Sequence, residues 1–200
     1  MTTSAVGNIA RIPELNRRIL FTFGMLAVYR IGCAVPTPGI DPVEIRRYFE
    51  QSSDGGMFGL LNLFTGGAFE QLSIFSLGIM PYVSASIILQ LLTVVIPKLE
   101  ELKKEGDEGR RVITRWTRYG TVILAVVQGM LMATALEGGA LGANTVLEPG
   151  WAFRFSTILT LTAGTSFIMW LGEQITERGI GNGISLVIFA GIVTSIPSAL

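Results

Sequence analysis

The chain has 200 residues, half of them apolar and only 15% charged, against roughly 25% charged in an ordinary soluble domain; with a mean hydropathy of +0.55 this is the composition of a membrane protein. Fifteen basic residues balance fifteen acidic ones, so bulk charge gives no support to a polyanion-binding role. The absence of histidine and the single cysteine, Cys33, exclude a disulfide within the chain and the usual imidazole metal or catalytic sites.

Crossing a hydrocarbon core about 30 Å thick takes about 20 apolar residues in a helix, and five runs qualify as candidates. Residues 1–18 read as a cytoplasmic N-terminus. The first span, 19–35, follows Arg17 and Arg18 and leads into PTPGID, not a small-residue cleavage pattern, so a cleavable signal peptide is not expected. It holds Arg30, the only charged residue within a span apart from Arg154 at the outer edge of the fourth, and such a charge costs a few kcal/mol at the bilayer centre on insertion scales. Because Arg30 lies about 8 Å from the outer end of the span, its guanidinium either snorkels to the interface or serves an ion pair.

An external segment, 36–72, comes next. Its stretch 57–72, MFGLLNLFTGGAFEQL, is too short to cross and is interrupted by Gly66 and Gly67. Two readings are open: a surface helix at the outer leaflet, or a re-entrant segment, which demands a protein-walled or watery cavity.

The second span, 73–96, contains Pro81, which is expected to remove the hydrogen bond to Leu77 and kink the helix. Gly78, Ser84, Ser86 and Gln90 around it suit close helix contact or a wet surface. The cytoplasmic loop 97–118 mixes seven basic with five acidic residues, a solvated face and topology signal, with partner docking as the alternative. A third span covers 119–136, an external loop 137–152, and a fourth span 153–171, whose stripe of Ser156, Thr157, Thr160, Gly164 and Thr165 reads as packing. A cytoplasmic loop, 172–183, leads to the fifth span, 184–200.

Cytoplasmic segments so assigned hold eleven basic residues and external ones three, Arg46, Arg47 and Arg154. That asymmetry predicts a cytoplasmic N-terminus. The spans contain no Asp or Glu, and the chain has no G-x-S-x-G, H-E-x-x-H or P-loop, so no catalytic residue, metal ligand or cofactor is assigned. Ile79 and Val83 are spaced i, i+4, as are Ile184 and Ile188 after the Gly181-Asn182-Gly183 turn, so each pair shares a helix face; periodicity alone reads both pairs as core packing.

Two long stretches, IFSLGIMPYVSASIILQLL at 74–92 and WLGEQITERGIGNGISLVI at 170–188, resemble the two sequence signatures of the SecY family. The segments RRILFTFGMLAVYRIG, PTPGID, NLFTGGAF and KKEGDEGRR extend the likeness over residues 14–197, most closely to bacterial members. The family has ten spans in two inverted halves around an hourglass pore, and this chain matches the first half. The resemblance therefore implies an all-α integral membrane fold, a SecY-like five-helix half bundle with a short re-entrant plug helix.

It also implies function: a subunit of a channel that conducts unfolded polypeptide in the bacterial inner membrane, not an enzyme. The implied partners are SecE and SecG, the SecA motor and the ribosome, whose main docking loops belong to the second half, together with signal peptides, nascent polypeptide and the lipid bilayer. No nucleic-acid binding is implied beyond contact with ribosomal RNA. In this likeness Leu61, Asn62, Leu63, Phe64, Thr65, Gly66, Gly67, Ala68 and Phe69 form the plug. Ser84, Ile87, Ile88, Leu91 and, on the next helix, Gln128 line the lateral gate that a signal sequence meets. Ile79, Val83, Ile184 and Ile188 become pore-ring residues, reversing the core reading. Two other classes compete: half of a secondary transporter, which predicts a midplane binding site that the spans do not offer beyond Arg30, and a non-conducting interaction module.

Overall fold

The computed structural model describes residues 13–51, 65–139 and 145–199. Its helices are α1 (Pro13–Cys33), α2 (Pro42–Gln51), α3 (Met80–Val95), α4 (Pro97–Lys104), α5 (Asp107–Glu137), α6 (Trp151–Arg178) and α7 (Gly183–Ala199). Among the described residues there is no β-strand, only two isolated antiparallel bridges, Pro36 to Ser73 and Ile40 to Val146.

A helix stands at each of the five predicted spans, yet length and composition qualify two of them to cross a membrane, α5 and α6, or three if the bent pair α3 and α4 counts as one. The 101° bend in that pair follows from Pro97. Proline disfavours helical backbone at the preceding residue, and Ile96 is extended, with φ −100° and ψ 112°. The apolar α3 thus ends where the charged α4 turns away.

One expectation is corrected by the structure. Pro81 does not kink a helix from within: residues 73–79 run in turns, and Pro81 stands in the first turn of α3, where its missing N–H would have had no intrahelical partner. The stretch 97–118 between the second and third predicted spans is largely helical, occupied by α4 and the first three turns of α5. Asp107 and Glu108 sit in the first turn of α5, where a helix favours anions.

Helices α5 and α6 run antiparallel and share the most extensive interhelical contact. Two Arg–Glu pairs join them. Arg118 donates to Glu173 from both Nε and Nη2 at 2.8 Å, and Arg154 donates from Nε to Glu137 at 2.6 Å while the Gly150 N–H reaches the other oxygen of the same carboxylate at 3.0 Å. The sequence-predicted stripe on α6 is packing in part: Thr157, Gly164 and Thr165 are buried, while Ser156 and Thr160 are half-buried.

Two apolar clusters organise the rest. One gathers Ile40, Ile45, Leu72, Leu136 and Phe153, joining α2 to one end of the α5–α6 pair. The other draws on α1, the 65–79 segment, α6 and α7, with Tyr29, Ala68, Phe75, Ile79, Ile168 and Val187 among its buried members. Here the backbones come very close. A side chain on Gly164 would overlap the Ile74 carbonyl, and one on Gly32 would overlap the Phe75 ring, so glycine is what lets the turn-rich segment wedge between α1 and α6.

Candidate functional site

The turn-rich segment 65–79 is the feature around which the predicted site residues collect. It is seated by the backbone: Ile74 N–H donates to the Val35 carbonyl at 3.0 Å and Thr37 N–H to that of Leu72 at 3.0 Å. It is wedged by aromatic contact: Phe75 stacks on Tyr29 of α1 at 5.9 Å between ring centroids and on Phe167 of α6 at 6.0 Å. Left-handed backbone at Gly66, Gly67 and Gly78, with φ of +65°, +83° and +56°, makes the successive turns. Glycine adopts those angles without a Cβ clash.

Of the predicted plug, Leu61, Asn62, Leu63 and Phe64 lie outside the described residues. Thr65, Gly66, Ala68 and Phe69 are buried and Gly67 is half-buried; from Gly66 onward this stretch runs in turns. Arg30 reaches it: its Nη1 donates to the Gly66 carbonyl at 2.7 Å, so among the described residues its partner is a backbone oxygen and not a carboxylate. The neighbouring Tyr29 hydroxyl donates to the Thr65 carbonyl at 3.3 Å.

All four predicted ring positions meet one cluster. Ile79 is a buried member of the cluster that also holds Ala68, and Val83, Ile184 and Ile188 pack against it. Local chemistry sets their direction. Ile79 is the N-cap of α3, and the Val83 N–H donates to its carbonyl at 3.0 Å, which keeps the two side chains one turn apart on one face. The Asn182 Oδ1 accepts from the Ile184 N–H at 3.0 Å and from the Ser185 N–H at 3.4 Å, an Asx cap that starts α7. Where α7 begins, a side chain on Gly183 would overlap the Gly172 carbonyl of α6.

The predicted gate residues form a different surface. Ile87, Ile88 and Leu91 are 52%, 49% and 63% exposed, an open apolar face on α3. Ser84 is half-buried, as is Gln128 on α5. The opposite side of α3 meets α5, where a Cβ on Gly120 would stand in ordinary contact with that of Ala85.

Sequence reasoning missed Tyr29 and Phe75 as parts of the site. An aromatic inside an apolar run carries no signal that separates it from a lipid-facing one. The signal that could have served was Gly32, a glycine within a helix where close approach of another backbone or ring is its usual reason.

A family model described as SecY matches residues 73–200. The chain is 54% identical over 189 residues to the protein translocase subunit SecY of Escherichia coli strain K12, a match covering 94% of this chain and 42% of that protein. With the protein of the same name from Thermus thermophilus it shares 51% identity over 187 residues, covering 92% and 42%. Among solved structures it resembles one titled as a protein conducting channel and one of Sec61 in a canine ribosome-channel complex from the endoplasmic reticulum. Each has a TM-score of 0.63 at 21% identity over 91% of this chain and 37% of the other, a likeness of fold. The chain spans about two fifths of the length of these relatives.

Proposed function

This chain belongs to the SecY family, and from that premise we propose that it forms the N-terminal half of a channel that passes unfolded secretory polypeptides across the bacterial inner membrane and releases membrane proteins into the bilayer. The observation that carries the reading is the convergence of Ile79, Val83, Ile184 and Ile188, from two helices far apart in sequence, on the cluster that holds Ala68 of the external segment. A ring of branched apolar side chains holds back ions by dewetting and binds no passing side chain tightly. Segment 61–69 closes that ring from outside at rest, and the exposed face of Ile87, Ile88 and Leu91, with Ser84 and Gln128 beside it, is the surface a signal sequence meets.

In this role the chain supplies no catalytic group and needs no cofactor. The driving force comes from a ribosome or from SecA, SecE clamps the two halves and SecG joins them, and the N-terminus lies in the cytoplasm of a multi-pass membrane protein. A transporter would place an ionisable binding site at mid-membrane; Arg30, the charge set furthest inside a span, is engaged with a backbone carbonyl instead.

The test is deletion of residues 61–69 in the full-length protein. Resting ion leak should rise and the channel should accept weaker signal sequences. Unchanged conductance and unchanged stringency would return this segment to a surface helix.

A further inference from the structure

Two consecutive residues of α1 hold two consecutive carbonyls of the external segment. Tyr29 takes the carbonyl of Thr65 and Arg30 that of Gly66, at 3.3 and 2.7 Å. On its other side Gly66 is pressed against α7: a Cβ built on it would stand 2.9 Å from the Cα of Gly191. The turn is thus pinched between hydrogen bonds from α1 and backbone contact with α7.

The two donors differ in a way that suits release. Tyr29 is 4% exposed, and its ring stays stacked on Phe75 whether or not the hydroxyl is used. Arg30 is exposed as a residue and its bond to Gly66 is only part-buried, so its guanidinium can find other polar partners when Gly66 leaves. A charged donor makes a stronger bond than a neutral one, and an exposed donor loses it without leaving a buried group unsatisfied. A purely architectural tie would be better placed in the interior.

We infer that Arg30 and Tyr29 form a two-point latch that seats the Thr65–Gly66 turn, with Arg30 as the positioning residue whose bond sets how readily the segment leaves. The inference rests on the reading of segment 61–69 as the seal, and its test separates the two.

The full-length protein with Cys33→Ser and Ala68→Cys is reconstituted in vesicles, and two quantities are read: the rate at which a membrane-impermeant thiol reagent labels position 68, which is 0% exposed when seated, and the resting ion leak. Arg30→Met should speed labelling roughly tenfold, the size expected for loss of one charge-assisted hydrogen bond. Tyr29→Phe should give a smaller increase, and Arg30→Lys, which keeps a charged donor, should restore part of the protection. Tyr29→Phe removes one hydroxyl from a retained ring and carries the test if Arg30→Met inserts poorly. Unchanged labelling in both variants overturns the latch. Faster labelling with more leak supports latch and seal together; faster labelling with unchanged leak supports the latch and overturns the seal.

Discussion

The carbonyl oxygen of Ile74 occupies the space that a side chain on Gly164 would need. This one contact lets the 65–79 segment lie against α6, because helices and loops within a bilayer are held largely by close packing and not by expulsion of water.

Gly164→Ala should therefore destabilise the protein by about 3 kcal/mol, read as a lower thermal unfolding midpoint in detergent. Gly24→Ala is the control: nothing lies within 4 Å of the added methyl, and replacing a mid-helix glycine by alanine is expected to stabilise by about 0.5–1 kcal/mol. Equal shifts in the two variants would mean that α6 and the segment are not in contact.

Ring positions allow a sharper separation of pore from core. Ile79→Gly or Ile184→Gly in the full-length protein should increase leak of small ions more than it lowers stability, with the smaller stability loss at Ile184, which only flanks the buried cluster that Ile79 belongs to. A core residue truncated so severely costs about 2–5 kcal/mol. Were both variants to unfold or misinsert, with ordinary leak in the surviving fraction, the four residues would be core and the pore would lie elsewhere.

Orientation rests on eleven basic residues against three. In a Cys33→Ser background, Asp107→Cys should be modified from the cytoplasmic side and Glu148→Cys from the external side. Both positions are exposed. Reversed labelling would place segment 65–79 at the cytoplasmic end and remove its reading as an external seal.

The long helices were legible because twenty apolar residues in a row have few other uses. Where they begin was harder. The run 74–96 is uncharged throughout and mostly apolar, so nothing in hydropathy separates the turns at 74–79 from the helix that follows, although Gly78 and then Pro81 form a start signal of glycine turn and first-turn proline. The beginning of α5 was hidden for the opposite reason: its first turns are too polar to read as a span and continue as helix outside one. Arg30 could be picked out as the unusual charge, but its partner could not, because a backbone carbonyl has no letter in the sequence. The ring pairs could be placed on helix faces, while only the fold brings those faces together.

The two Arg–Glu pairs that join α5 to α6 also make a ruler. From Arg118 to Glu137 along α5 is 19 residues, and from Arg154 to Glu173 along α6 is again 19, about 28 Å of helix, close to the hydrocarbon thickness of a typical bilayer. Sliding one helix past the other by a turn to suit a thinner membrane would break both pairs; tilting as one body or thinning the lipid keeps them, and carries with it the Ile74 carbonyl lodged at Gly164.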